Sequence, residues 1–327
     1  MTEPALIDRT RYSTSAVRRR RFVASVLALV IAASARVSGA QTNVEKIRGA
    51  WGLKSGTQYP PGTHPTVFYY YYFPDDLVDK NGLAINQTFR EQIAAPAVLY
   101  VSPKPVFGTY WGAIASQAFS RRVNTRTGID ASWGFGDTFV QPVYLGWSLS
   151  RIDARTGLWF VAPTGRFHVD ALDNHGLGTW SYAADAGVTV YPDSAKRWNL
   201  ATLATFNTNS NQRGTDRRTG NVLTLEGGIG RSVRKIGAAG VAYYAQWKVS
   251  DDQNMPVTRD PRFNARHRYL GFGPEVTVPL PFKAPMILQT RYFWELENRV
   301  TTEGSSLWVL FTYNIRPSPK STPPRKS

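Results

Sequence analysis

The chain has 327 residues, no cysteine, 13% aromatic residues, 27 glycines and a formal net charge of +16. The lack of cysteine excludes disulfides, thiol nucleophiles and cysteine-ligated metals. A mean hydropathy of −0.31, with no apolar run of about 18 residues, excludes helical membrane spans.

Much of the charge sits at the ends. Residues 1–40 hold seven Arg against Glu3 and Asp8, and Arg316, Lys320, Arg325 and Lys326 lie in the tail 316–327. Most of the remainder falls in expected loops, as in Arg213, Arg217 and Arg218 or Arg259, Arg262 and Arg266. A nucleic-acid surface needs such charge interleaved with aromatics on one platform, so nucleic acid is not an expected partner.

In chain order, Arg18–Arg21 precede the uncharged stretch Phe22–Ala35, and Ser38 and Ala40 place small residues before Gln41. This is the pattern of a signal peptide over residues 1–40, cleaved between Ala40 and Gln41. Residues 41–65 carry scattered Gly and Pro without a period, which reads as a periplasmic N-terminal segment.

Residues 66–315 read as about twelve strands. The expected strands are Val67–Phe73, Ala97–Ser102, Thr109–Phe119, Thr138–Leu149, Leu158–Pro163, Ser181–Tyr191, Asn199–Asn207, Val222–Arg231, Ile236–Val249, Tyr269–Val278, Met286–Arg299 and Ser305–Asn314. In the ninth, Ala239, Val241, Tyr243, Ala245, Trp247 and Val249 oppose Gly240, Tyr244, Gln246, Lys248 and Ser250. Strand side chains alternate with period two, so one face is apolar and aromatic while the other is polar.

A soluble sandwich also alternates, with its apolar face toward a packed core. The export signal, the aromatic-capped strands and the glycines on the polar parity favour the membrane case. The expected fold is therefore all-β: an antiparallel up-and-down transmembrane β-barrel in the bacterial outer membrane, with residues 316–327 a disordered basic tail.

Long connections around 74–96, 120–137, 164–180, 208–221 and 250–268 alternate with short ones. Such barrels carry long loops outside and short turns on the periplasmic side. Val300–Gly304 is short where a long loop is due. Either that hairpin is trimmed or the count is off by one strand.

Several motifs resemble a known family. They are Gly134-Phe135-Gly136-Asp137-Thr138, Pro163-Thr164-Gly165-Arg166-Phe167, Asn174-His175-Gly176-Leu177-Gly178-Thr179-Trp180 and Leu270-Gly271-Phe272-Gly273-Pro274-Glu275. The chain is similar over most of its mature length to the family named for the meta-pathway of phenol degradation. Residues 212–220 depart from the pattern, lacking a Tyr before a Gly. The resemblance implies an outer-membrane barrel and transport of hydrophobic compounds, and it fixes no ligand.

The glycine and aspartate motifs at strand ends read as turn chemistry, with ligand-gating loops as the alternative. Gly227-Gly228-Ile229-Gly230 lies within strand alternation and is no phosphate loop. His64, His168, His175 and His267 fall in expected loops at spacings that bring no metal site together, and no cofactor is implied. Ser181 near His175 is the nearest approach to a nucleophile and base.

The expected lumen-lining residues are Tyr244, Gln246, Lys248, Glu226, Glu275, Gln289, Arg291, Glu295 and Glu297. Their charges would line a polar path or form an ion-pair ladder across the lumen. Arg121, Arg122, Arg213, Arg217 and Arg218 suit lipopolysaccharide phosphates, or serve loop solubility.

The expected function is passive transport or binding of a small hydrophobic or aromatic compound, without enzymatic activity. A closed structural barrel is the alternative, and a lipid-modifying enzyme the third reading. Expected partners are outer-membrane lipid and lipopolysaccharide, the small ligand, and the barrel-assembly machinery during biogenesis.

Overall fold

Period-two alternation forces one face of each strand outward and the other inward, and only closure removes the unpaired edges of such a sheet. The computed structural model describes residues 47–315 apart from 87–88, 107, 125–128, 170, 172, 234–236, 256–261, 263–264 and 282–284. The signal sequence, its cleavage at Ala40–Gln41 and the tail 316–327 lie outside the described residues.

The strands in chain order are β1 Gly62–Val78, β2 Ala84–Asn86, β3 Phe89–Val101, β4 Tyr110–Asn124, β5 Ile129–Ser148, β6 Ile152–Ala162 and β7 Ser181–Val190. They continue with β8 Trp198–Asn209, β9 Val222–Val233, β10 Gly237–Lys248, β11 Arg268–Pro279, β12 Met286–Glu295 and β13 Thr301–Tyr313. Apart from the short β2, each pairs antiparallel with the next, β1 with β3, and β13 closes on β1 through Thr66↔Thr312 and Tyr70↔Trp308. The three residues of β2 only fold back on the end of β1. Twelve strands therefore form a closed up-and-down barrel.

The outer surface explains the sequence pattern. Val98, Leu158, Leu200, Ile229 and Val241 are each at least half exposed. Trp111, Trp147, Trp198 and Tyr313 are exposed near the end carrying the short turns, and Trp180, Tyr182 and Trp294 near the other. An apolar band between two aromatic girdles is what a lipid bilayer selects.

Some boundaries differ from expectation. β1 starts at Gly62, so His64 belongs to a strand; it is fully buried and bonds Pro60 O and Asn314 Oδ1. β3, β5 and β6 begin eight, nine and six residues early. Gly134 and Gly136 read as turn residues, yet they extend β5 alongside the end of β4, with Phe119 facing Phe135 and Ser120 facing Gly134. The short hairpin near Val300 is a trimmed one: β12 ends at Glu295, Glu297 and Val300 take positive φ of 56° and 55°, and β13 starts at Thr301. The strand count stands.

Candidate functional site

The segment expected in the periplasm enters the barrel. Gln58 Nε2 donates to Tyr110 O and Tyr144 O near the short-turn end. Thr57 Oγ1 donates to Asp153 Oδ2 at 3.1 Å. Further up the lumen, Leu53 N donates to Glu275 Oε2 at 2.9 Å, and Gly49 N and Ala50 N both donate to Glu226 Oε1. Residues 47–61 are thus a plug, which corrects the expectation for the described part of 41–65. The cause is the inward charges: an exposed peptide chain supplies the N–H and C=O partners that buried ions require.

Three clusters hold this plug. Arg291 Nε lies 2.8 Å from Glu275 Oε2, and its Nη1 donates to Ala50 O at 2.9 Å. Arg48 Nη2 lies 3.3 Å from Glu295 Oε1, with its guanidinium 3.6 Å over the Tyr269 ring. The hydroxyls of Tyr72 and Tyr244 also donate to Glu295. On the opposite wall, Arg155 sits 3.9 Å over Trp51 and pairs with Asp185 at 3.1 Å. Cation–ring contacts of this desolvated kind contribute about 2 kcal/mol each.

Small residues make the fit possible. A Cβ on Gly52 would collide with the Glu275 carboxylate and the Arg291 guanidinium. Cβ atoms on Gly230 and Gly240 would run into Leu53, so these polar-parity glycines form its seat.

Beside the plug lies a cavity of about 740 Å³. Its wall includes Phe68, Ile93, Leu99, Ile114, Phe139 and Trp159 from β1 and β3 to β6. Polar groups gather toward the long-loop end. Arg122 pairs with Glu91 at 2.8 Å, and His175 Nδ1 lies 3.1 Å from Ser120 Oγ. The Asp137 carboxylate accepts from Gly165 N at 2.9 Å and Leu177 N at 2.8 Å, pinning the 163–180 connection over this end. Burial, reinforced by Arg166 and Arg122, holds the His175 imidazole below its ordinary pKa.

The nine expected lumen residues fall into three groups. Glu226, Glu275, Arg291 and Glu295 face inward and bind the plug, while Gln289 donates to Glu275 and Tyr244 to Glu295. Gln246 bonds Thr224, and Lys248 pairs with Asp252 at 2.8 Å. Glu297 lies beyond β12 and is exposed, so its parity ceases to apply. None of the nine borders the cavity.

Ser181 donates to Asn209 Oδ1 at 2.6 Å, and the partner of His175 is Ser120. Arg121 and Arg122 lie on β4 and pair with Asp130 and Glu91. Arg213 lies over Phe167, and Arg218 bonds Thr208.

A family model described as "Putative MetA-pathway of phenol degradation" matches residues 75–311. The chain belongs to this family. No curated protein matches. Among solved structures, the COG4313 outer membrane channel from Pseudomonas putida F1 aligns with a TM-score of 0.66 at 15% identity, over 82% of this chain and 99% of that one. The β domain of the Bordetella autotransporter BrkA gives 0.43 at 12% identity, covering 78% and 100%. A Pseudomonas aeruginosa FadL homologue gives 0.39 at 10% identity, covering 84% and 99%. The first of these shares the barrel fold.

Proposed function

We propose that this family member is an outer-membrane channel that passes small apolar or aromatic compounds without an energy source. The observation that carries the reading is the division of the lumen. On one side a plug engages the inward charged groups, and on the other a largely apolar cavity of about 740 Å³ stays open. Burying one aromatic ring against such a wall is favourable by roughly 2–3 kcal/mol, enough to concentrate a compound that ions and sugars would not follow. Membership of a family described by phenol degradation supports the class of cargo, and the channel similar in fold supports the mode.

In this reading the chain is exported through a cleaved signal peptide and inserted by the barrel-assembly machinery. Its short turns then face the periplasm, and its loop arginines meet lipopolysaccharide phosphates. Uptake of radiolabelled toluene and phenol by a deletion strain, with and without the restored gene, tests the proposal. Restored uptake of at least one compound supports it. Equal uptake with and without the gene, across a panel of such compounds, overturns it. Planar-bilayer recording gives a second measure: a plugged lumen passes few ions, and a large aqueous conductance contradicts the reading.

A further inference from the structure

Outside the cavity, a second and more open pocket of about 430 Å³ lies between the extension of β5 and the 163–180 connection. Trp133 and Phe135 border it from the outward parity of β5, 46% and 63% exposed, and the Arg166–Asp173 ion pair, at 2.8 Å, forms a polar edge. Two exposed rings with one charged edge suit a flat, uncharged aromatic molecule bearing a small polar substituent.

Among the described residues, His175 alone borders both this pocket and the barrel cavity. On its cavity side stand Ser120, Ala118 and Leu177, which lead to the apolar wall. The imidazole is held in the opening by two features. Its Nδ1 bonds Ser120 Oγ at 3.1 Å, and its ring packs where Gly134 has no side chain, since a Cβ there would collide with it.

We propose that His175 is the gate between an outer capture pocket for aromatic molecules, walled by Trp133, and the barrel cavity. The proposal rests on the transport reading for its purpose, though its geometry stands apart from it. A rotation of one imidazole, held by one hydrogen bond, joins the two spaces. The molecule that passes gives up contact with Trp133 for contact with the apolar wall beyond Ala118. The plug need not move for this step.

The absence of cysteine makes the gate testable. Ala118 lines the cavity, and Ala118→Cys supplies a single thiol behind the gate. N-phenylmaleimide, an uncharged aromatic reagent, is added to intact cells and the initial rate of modification is followed.

His175→Ala and Gly134→Ala should each raise that rate by about five- to tenfold, the factor set by one hydrogen bond's net contribution. His175→Gln, which can keep the bond to Ser120, should stay near the parent rate, and Trp133→Ala should fall below it. Heat-modifiable gel migration confirms that each variant is folded.

Unchanged rates in folded His175→Ala and Gly134→Ala overturn the gate. An unchanged rate in Trp133→Ala overturns the capture role of the pocket. Labelling reads access and not net uptake. A gate that responds in a protein without uptake activity therefore removes the transport reading and leaves the opening in place.

Discussion

Glu275 and Arg291 face each other across β11 and β12, 2.8 Å apart, and both reach past their pairing to the same inserted backbone. Glu275 accepts from Leu53 N while Arg291 donates to Ala50 O. An ion pair buried only against itself gives back little beyond its desolvation. Here the remaining hydrogen-bonding capacity of both ions is directed at the plug, so pair and plug depend on each other.

The first prediction follows from that dependence. Glu275→Gln leaves Arg291 buried without its counter-ion, a loss of about 3–5 kcal/mol for a broken buried pair. Gly52→Ala attacks the same joint from the other side, because the new methyl occupies the space of the Glu275 carboxylate. Both variants should insert normally, since neither changes the lipid-facing surface. Both should show larger and noisier ion conductance in planar bilayers than the parent. Parental conductance in both would mean that this joint does not retain the plug.

A second prediction concerns the apolar wall. Phe139 packs against Trp159 with ring centroids 5.5 Å apart, and both border the cavity. Phe139→Gln replaces a ring of the apolar wall with a polar amide. Losing roughly 1.5–3 kcal/mol of ring burial corresponds to a fall in apolar-ligand affinity of about ten- to a hundredfold. Uptake of labelled toluene at low concentration should drop accordingly, with heat-modifiable migration unchanged. Gln246→Ala, on a wall closed to the cavity, serves as the control and should leave uptake as it was.

How much of this could be read from the sequence depends on which wall is considered. Strands β7 to β12 alternate cleanly because lipid selects one parity and buried polar contacts the other, as with Val241 and Leu225 outside against Gln246 and Glu226 inside. The rule that the polar parity faces inward then hid the cavity. On β3, Val98 and Tyr100 are exposed to the outside while Leu99 and Val101 are buried within. That strand is apolar on both faces, and its blurred period was itself the sign of an apolar lumen.

The plug was illegible for a different reason. Its contacts join residues as distant as Gly49 and Glu226, and no local pattern records them. The traces it left were inward charges without an evident partner and glycines on their parity, which together imply a guest inside the barrel.

The loop over the long-loop end gives a third prediction. One carboxylate, Asp137, accepts two backbone N–H groups twelve residues apart, those of Gly165 and Leu177. Asp137→Ala leaves both donors without that partner. Each lost acceptor costs about 1–3 kcal/mol where the site is shielded from water. Hydrogen exchange at Gly165 and Leu177 should accelerate together, while exchange in β9 and β10 stays slow. Acceleration at one amide alone would show that the two contacts are not a unit.

The last prediction is the pH response of the same region. His175 meets Ser120 and Arg122 from β4, Gly134 from β5, and Arg166 and Asp173 from its own connection. Burial is the largest cause that lowers its pKa, followed by Arg166 and then Arg122, with Asp173 opposing. The released loop would carry an ordinary imidazole, titrating near 6.5, and so binds a proton more readily than the seated one. The stability contributed by the neutral ring is therefore fully present above about pH 6.5, and it is lost as pH falls below that value through the lower pKa of the seated ring. Labelling of Ala118→Cys should speed up between pH 7.5 and pH 5 after correction for the thiolate fraction, and His175→Gln should flatten that dependence. A corrected rate that stays level in the parent, or rises equally in His175→Gln, would assign the response to a group other than this imidazole.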